Sequence, residues 1–295
     1  MERRSAAATG GTAIDLTQRD PTLPKLDERF WSVQSAHVRR YSWTQPISRI
    51  WSEQNHRQVT VVGAAELVVA HFLEYRCFGR YLEQPFVLVS PDGSTLVDYI
   101  AESLPTHRAV ADWTSVECLE VKSLLPFQEG RDATAARLRL HHQVSLLREL
   151  AAFSGCKYGV VVVDTGRYPC TPAPEAIEDE LGCGVTILAQ HQAEWLARLR
   201  HHAHLPEGRD DYLVHQIEAA LADRPRTAPE LYRQLQRPAG AVVPHLLYLA
   251  YHHRLAADLT CPFDVPTTTF SRCPSPAPLP PSPFVAIHPS ARTLR

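Results

Sequence analysis

The sequence predicts a mixed α/β protein, with a helix-flanked sheet followed by a smaller α-rich domain. The run Val116-Glu117-Cys118-Leu119-Glu120-Val121-Lys122-Ser123 has the tolerable period-2 pattern of a half-buried strand. An amphipathic helical pattern over residues 134–153 and a β-branched run over residues 158–164 follow it, as expected for a crossover helix and a buried strand. Strands before and after such a helix indicate a mixed sheet flanked by helices.

Composition restricts the protein class. The 295 residues suffice for one good-sized domain and a smaller one, and a net charge of −2 leaves nucleic-acid binding to local basic faces. No run approaches the ~18 apolar residues that span a bilayer, and the N-terminus lacks the apolar region of a secretory signal. Seven scattered cysteines without a Cys-x-x-Cys pair favour a reducing cytoplasm.

The N-terminal part divides into two stretches. Residues 1–28 are small and polar, which predicts a flexible leader. Residues 29–57 then interleave arginines with aromatic side chains, a pattern suited to contacts with phosphates. Arg39, Arg40 and Arg49 are the candidate nucleic-acid contacts there, although a packed strap with solvated arginines would have the same composition.

Two acidic residues stand out in the next stretch. Glu66 falls in the first turn of a predicted helix over residues 64–77, where the helix dipole alone could favour an acid. Strands over residues 84–90 and 95–101 are joined by Pro91-Asp92-Gly93-Ser94, a sequence typical of a hairpin turn. Asp98 lies inside the second, otherwise apolar strand, where a carboxylate is costly unless it is paired or binds a metal.

The C-terminal part has a different organisation. Helices over residues 210–222 and 244–253 bracket a third that starts at Thr227, with Glu230 completing a capping box. A strand over residues 255–259 follows. Three short helices and a β-wing fit a winged-helix variant of the helix-turn-helix, and a plain helical appendage is the alternative. Residues 271–295 are predicted to form an extended proline-rich tail.

Candidate catalytic and metal-binding side chains are predicted to meet at one site. Asp98 and Glu120 are expected on neighbouring strands, and two adjacent carboxylates repel each other unless a cation neutralises them. Carboxylate oxygens and water suit Mg²⁺ or Mn²⁺, and such a cation can activate water against a phosphodiester. Lys122 shares the Glu120 face, whereas Glu117 falls on the opposite face and is excluded. Glu-x-Lys alone is a weak signal, common by chance on exposed strands.

Other catalytic classes lack their motifs. The adjacent histidine pairs point about 100° apart on a helix and make poor chelates. The sequence contains neither Gly-x-Ser-x-Gly nor a phosphate-binding Gly-x-x-x-x-Gly-Lys-Ser/Thr, so it indicates neither a serine hydrolase nor an ATPase.

The arrangement of Glu66 on a helix, Gln84-Pro85 opening a strand, Asp98, and Glu120-Val121-Lys122 resembles the PD-(D/E)xK nuclease superfamily, whose fold is restriction-endonuclease-like. More narrowly it resembles TnsA, the endonuclease subunit of heteromeric transposases. Residues 243–259 are similar to the end of the winged-helix domain of that family, and the resemblance covers roughly residues 35–265. Val97-Asp98-Tyr99 replaces the Pro-Asp-Phe of the family.

This resemblance implies a nuclease domain over residues 29–205 and a winged-helix domain over residues 209–268. It implies that Asp98 and Glu120 ligate Mg²⁺, with Mn²⁺ as a possible substitute, that Glu66 completes the metal or water shell, and that Lys122 assists the nucleophile. Gln84 and Arg137 are further candidate nucleic-acid contacts.

The resemblance also implies a reaction and partners. The reaction would be cleavage of double-stranded DNA at transposon 5′ ends, in the cytoplasm and at the nucleoid. The partners would be a TnsB-like DDE transposase and a TnsC-like ATPase regulator. A stand-alone restriction or repair nuclease and a catalytically inactive DNA-binding assembly subunit are the alternatives.

Overall fold

The computed structural model describes residues 12–32, 47–76, 79–102, 113–168, 172–204, 210–259 and 261–273. The chain divides into two compact units between Leu188 and Ala189. Within these ranges no helix is long and apolar enough to cross a membrane. The described cysteines (Cys118, Cys156, Cys183, Cys261 and Cys273) are all free thiols.

The first unit contains ten strands and four α-helices within the described ranges. In chain order they are β1 (Thr12–Asp15), α1 (Glu28–Ser32), β2 (Ile47–Ser52), β3 (Arg57–Val62), α2 (Ala64–Arg76), β4 (Tyr81–Glu83), β5 (Phe86–Ser90), β6 (Gly93–Leu96), β7 (Tyr99–Glu102), β8 (Val116–Ser123), α3 (Arg131–Ser154), β9 (Lys157–Val163), α4 (Pro174–Leu181) and β10 (Gly184–Leu188). Two short 3₁₀ turns, Trp113–Ser115 and Leu125–Phe127, flank β8.

A mixed five-stranded sheet of order β10-β9-β8-β7-β4 forms the centre of this unit. Strand β8 is its middle strand, parallel to β9 and antiparallel to β7. The long helix α3 makes the crossover between β8 and β9, which parallel strands require. Gly155 ends α3 in the left-handed conformation, with a φ of +73°, and its amide donates to the Ala151 carbonyl. The predicted mixed α/β class, with helices on the sheet, is confirmed.

The core lies where helix α3 covers β8 and β9. Leu140 and Val144 pack with Val160 and Val162 of β9. One and two turns further along α3, Leu147 and Leu150 belong to a second cluster that includes Val116 and Cys118 of β8. Leu140, Val144 and Leu147 belong to the predicted apolar stripe of the helix, and Leu150 is buried beside them in place of the predicted Ala151, which is only partly buried. Burying this face fixes α3 against the strand that carries Glu120.

The prediction of a flexible leader is wrong for residues 12–28, the part of the leader that the structure describes. Strand β1 pairs in parallel with β5, with Ile14 opposite Leu88, and β5 in turn pairs with β6. Ile14, Leu16 and Leu26 are buried in the same core cluster as Leu88. The physical reason is the short alternating sequence Thr-Ala-Ile-Asp-Leu, which is a strand pattern within an otherwise small and polar stretch.

The predicted hairpin forms, but its second strand is shorter than expected. Strands β5 and β6 pair antiparallel around Pro91 and Asp92. The chain then leaves this sheet at Val97 and Asp98, and β7 joins the central sheet instead. Asp98 is therefore located at the bend between two sheets, and the prediction that it lies inside the strand is wrong.

The second unit contains α5 (Gln190–His201), α6 (Asp211–Ala220), β11 (Arg226–Thr227), α7 (Ala228–Leu235), α8 (Ala239–Tyr251), β12 (Leu255–Ala257) and β13 (Thr269–Arg272). The three strands form an antiparallel sheet of order β11-β13-β12. The predicted capping box is present, because the Thr227 amide donates to the Glu230 carboxylate at 2.8 Å.

Two predicted boundaries are wrong. Helix α5 belongs to the second unit rather than to a domain ending at residue 205, because the indole of Trp195 donates to the Cys261 carbonyl at 2.8 Å. Trp195 also packs edge-on against Phe263. Residues 271 and 272 belong to β13 rather than to the tail, since Arg272 pairs with Leu255. The proline-rich residues 274–295 lie outside the described residues.

Candidate active site

Strand pairing brings Asp98 beside β8. In the β7–β8 ladder Tyr99 is opposite Leu119, so Asp98 is next in line opposite Glu120. A side-chain oxygen of Asp98, Oδ2, accepts a hydrogen bond of 2.8 Å from the Val121 amide. Asp98 is 1% exposed and Glu120 is 0% exposed. The two carboxylates predicted to be neighbours are therefore both buried at the same point of the sheet.

Lys122 supplies the positive charge at this point. Its ammonium forms an ion pair with Glu120 Oε1, lies 3.7 Å from Asp98 Oδ2, and donates to the Val121 carbonyl at 3.1 Å. The Lys122 side chain is 19% exposed, so the charge cluster is in contact with the surface through this residue. Strand alternation gives Glu120 and Lys122 a common face and turns Glu117 to the other, as predicted.

The single positive charge of Lys122 does not neutralise both buried carboxyl groups. Burial, with a further contribution from the Asp98 charge, raises the pKa of Glu120 to about 8, and the Lys122 ammonium offsets only part of this. One ammonium beside two buried carboxylates is one positive charge too few for both to be ionised at neutral pH.

The second carboxyl oxygen of Glu120 lies beside Asp98. Its Oε2 is buried and accepts no hydrogen bond from the described residues, while Oε1 binds Lys122. A hydrogen bond between the Glu120 and Asp98 side chains also contributes to the raised pKa of Glu120. A buried carboxylate oxygen that accepts no hydrogen bond is costly unless something else binds it. Mg²⁺ is commonly held by one or two carboxylates and several waters, so Asp98 and Glu120 fit a hard divalent cation. Among the described residues no three His, Cys, Asp or Glu side chains are grouped to hold one metal.

Glu66 is engaged differently. It lies in the first turn of α2, where its Oε2 accepts a hydrogen bond of 3.1 Å from the Val62 amide. Its backbone carbonyl accepts a hydrogen bond of 3.1 Å from the Tyr99 hydroxyl. The pKa of Tyr99 is raised well above its usual range, mainly by burial and then by the charges of Glu66 and, more weakly, Asp98. Glu66 thus joins α2 to the residue after Asp98, and its role as a metal ligand stays a prediction.

Gln84 lies beside the site in an unusual backbone conformation. Its φ is +44°, in the left-handed region that side chains other than Gly rarely adopt. The Gln84 amide donates to the Asp98 carbonyl at 2.8 Å, and the residue is buried. Strained backbone that the surroundings hold in place is typical of functional sites, so this position belongs to the candidate site.

The other predicted nucleic-acid contacts have different surroundings. Arg49 is exposed on β2. Arg137 donates to the Pro126 carbonyl at 2.8 Å and lies 3.5 Å from Glu180, so its guanidinium already serves a structural role. Arg39 and Arg40 lie outside the described residues.

No protein-family model matches the chain, and no curated protein matches it significantly.

Sequence reasoning missed two groups that build the site. Tyr99 is fully buried and links β7 to α2, but a tyrosine after an acid has no distinctive sequence signal. Arg57 and Glu83 form a bidentate ion pair, with distances of 2.9 and 2.6 Å. The pair joins β3 to the residue before Gln84, and only the strand arrangement brings these two residues together.

Proposed function

We propose that this protein is a Mg²⁺-dependent DNA endonuclease that hydrolyses phosphodiester bonds. The observation that carries the proposal is the pair of buried carboxyl groups of Asp98 and Glu120, of which Glu120 Oε2 accepts no hydrogen bond from the described residues. Two neighbouring buried carboxyls are suited to a hard cation that replaces the proton between them, and an adjacent lysine is suited to a charged transition state.

Each residue has a role in this proposal. Asp98 and Glu120 would hold Mg²⁺, with Mn²⁺ as a substitute, and Glu66 would complete the metal or water shell. The bound cation would lower the pKa of a water molecule and stabilise charge on the phosphate. Lys122, which is partly exposed, is positioned to orient the nucleophile or to contact the scissile phosphate.

The architecture is compatible with the proposed family. The mixed sheet, in which β7 and β8 carry or adjoin the acids and α3 crosses to β9, supports a restriction-endonuclease-like nuclease domain. The second unit has the order helix, strand, helix, helix, strand, strand from α6 to β13, with an antiparallel sheet. That order supports a winged-helix domain.

We further propose the narrower role of a TnsA-like subunit of a heteromeric transposase. In that role it would cut transposon 5′ ends in the cytoplasm, at the nucleoid, together with a TnsB-like DDE transposase and a TnsC-like ATPase. The support is the sequence resemblance around Gln84, Asp98 and Glu120-Val121-Lys122. A stand-alone restriction or repair nuclease would share the same centre and need no partner.

Helix α8 is an unusual candidate for reading DNA bases. It is the helix that a winged-helix domain places in the major groove, yet its sequence, Ala-Gly-Ala-Val-Val-Pro-His-Leu-Leu-Tyr-Leu-Ala-Tyr, contains no Arg, Lys, Asn or Gln. These are the side chains that make bidentate contacts with base edges. We therefore propose that any base-specific contacts come from residues outside α8.

One observation favours a second candidate, a catalytically inactive DNA-binding assembly subunit. Lys122 lies between both acids, and no third metal-binding side chain accompanies them among the described residues. An internal ammonium could then replace the cation permanently.

Nicking of supercoiled plasmid DNA with Mg²⁺, Mn²⁺ or EDTA separates these candidates, with the protein alone and with a cognate transposase. The nuclease proposal expects divalent-dependent cleavage that Asp98→Ala and Lys122→Ala abolish. Glu117→Ala is the matched control on the same strand and should cleave normally. Absence of cleavage under every condition would eliminate the nuclease and leave the inactive subunit.

A further inference from the structure

Two buried cysteines of the first unit lie in contact. The Sγ atoms of Cys118 and Cys156 are 4.0 Å apart, and both residues are free thiols. Cys118 belongs to β8 and is 0% exposed, whereas Cys156, which is 6% exposed, comes just before β9. The two residues are 38 positions apart in the chain, on either side of α3. The parallel pairing of β8 with β9 therefore brings their sulfurs together.

A modest movement would join the two sulfurs. A disulfide bond is ~2.05 Å long, so the Sγ atoms would have to approach each other by about 2 Å. Cys118 is held in the middle strand by β7 on one side and by β9 on the other. Cys156 follows Gly155, which adopts the left-handed conformation, and precedes the first residue of β9. The turn that carries Cys156 is therefore the part expected to move.

Cys156 is the thiol that an oxidant would reach first. Its neighbours in the chain, Gly155 and Lys157, are both exposed. The hydrogen bond with Cys118 lowers the pKa of Cys156, and burial opposes this shift. Because the thiolate is the reactive form of cysteine, a lowered pKa favours oxidation at this sulfur. The fully buried Cys118 then lies beside the oxidised sulfur and can react with it.

We propose that Cys118 and Cys156 form a reversible disulfide when the protein meets a hydroperoxide. The Cys156 sulfur attacks a peroxide oxygen, so that the O–O bond breaks, a sulfenic acid forms and an alcohol leaves, or water from hydrogen peroxide. The Cys118 sulfur then attacks the Cys156 sulfur, so that the S–S bond forms, the S–O bond breaks and water leaves with the Cys118 proton. Two thiols are oxidised and one peroxide is reduced, and a dithiol reductant reverses the link.

The link would join the central strand to the start of its neighbour. Cys118 precedes Glu120 by two positions on the same face of β8, so the disulfide would fix the strand that carries part of the candidate site. Under reducing conditions the pair would stay as two thiols and would close only during exposure to an oxidant. This inference goes beyond the proposed function and does not depend on it.

Mass spectrometry of the folded, full-length protein tests this proposal. The protein is freed of reductant, treated with hydrogen peroxide, blocked with iodoacetamide and digested with trypsin without reduction. Trypsin releases Cys118 and Cys156 in separate peptides, residues 109–122 and 149–157, each with a single cysteine. The expected product is these two peptides joined, at their combined mass less two hydrogen atoms. Dithiothreitol should separate them, and urea present during oxidation should lower the yield of this link, because the native contact is then lost.

Two variants check which sulfurs are linked. Cys156→Ala should lose the link, whereas Cys183→Ala, which alters a cysteine beside another core cluster, should keep it. Recovery of both peptides as alkylated thiols would overturn the proposal and leave two thiols packed as small apolar groups. So would links among other cysteines in place of this one, or Cys156 as a sulfinic acid beside an alkylated Cys118. Because DNA cleavage is not measured, failure of the proposed nuclease activity would leave this result unchanged.

Discussion

The backbone amide of Gln84 donates a hydrogen bond of 2.8 Å to the carbonyl of Asp98. The donor residue adopts a φ of +44° immediately before Pro85. Proline disfavours the right-handed helical conformation in the residue before it, so few backbone conformations are open to Gln84. The bond therefore connects a strained residue to the segment that presents one of the two central acids.

The positive φ of Gln84 predicts that two substitutions at this position differ in their cost to stability. Gln84→Val should destabilise the protein by about 1–3 kcal/mol, because a β-branched residue tolerates positive φ poorly. Gln84→Gly should cost less, since glycine adopts this conformation without strain and the lost side-chain contacts are partly offset. Urea unfolding of the two variants measures the difference. Equal destabilisation would show that the backbone of Gln84 is not strained.

The raised pKa of Glu120 predicts a pH-dependent stability. The folded-state pKa of about 8 exceeds the ordinary 4.5, so between these values the folded protein holds a proton that the unfolded chain has lost. The bound proton therefore adds to the free energy of unfolding. This added stability is complete below pH 4.5 and is lost as the pH rises through 8, by at most about 1.4 kcal/mol per pH unit. Glu120→Gln should remove that loss, which thermal unfolding from pH 5 to pH 9 in EDTA would measure.

The same substitution should change the response to metal. At the proposed site, Mg²⁺ would bind only to ionised Glu120, so stabilisation of the unmodified protein by Mg²⁺ should increase with pH towards 8 and above. Glu120→Gln should lose most of this stabilisation, whereas Glu117→Gln, altered on the opposite face of β8, should keep it. Metal stabilisation that is independent of pH and of Glu120 would contradict the assignment of this carboxylate.

Tyr99→Phe is predicted to weaken the attachment of helix α2. It removes the hydroxyl that donates to the Glu66 carbonyl at 3.1 Å while keeping the buried ring. The expected cost is about 1–2 kcal/mol, the usual range for a buried hydrogen bond. Hydrogen exchange of the α2 amides should increase beyond the exchange in α3, which serves as the internal control. Uniform exchange across both helices would argue against a local role for Tyr99.

The ion pair of Arg57 with Glu83 is predicted to be strongly coupled. Both side chains are buried, so Arg57→Leu alone leaves a buried carboxylate and should cost about 3–5 kcal/mol. Adding Glu83→Leu should recover much of that loss, because both charges are then gone. A double-mutant cycle by chemical unfolding measures the coupling, and purely additive costs would show that the two groups act independently.

The sequence was sufficient for the parts of the fold that depend on local periodicity. Strand β8 and helix α3 follow from alternation and from the apolar stripe of Leu140, Val144 and Leu147, both of which reflect one buried face. The proximity of Asp98 to Glu120 could be predicted because consecutive strands tend to be neighbours in a sheet. The hydrogen bond from the Val121 amide to Asp98, and the position of Lys122 between Asp98 and Glu120, agree with that expectation.

Features that depend on distant pairing could not be predicted. The residues around Ile14 are a strand because β5 offers an edge, and that edge is 70 or so positions away. The chain bends at Asp98 because β6 and β7 belong to two different sheets. The pattern of apolar residues does not show where a chain passes from one sheet to another. Helix α5 has an ordinary amphipathic pattern, and only the contacts of Trp195 with the segment around Cys261 assign it to the second unit.

The middle position of β8 has a consequence for folding in the cell. Asp98 contacts the Val121 amide across 23 residues of chain, and β8 gains its second neighbour, β9, only after all of α3 has been made. A chain in which β7 and β8 are not paired has its two acids apart and could not hold the cation of the proposed centre. The proposed DNA-cutting activity would then require native strand register.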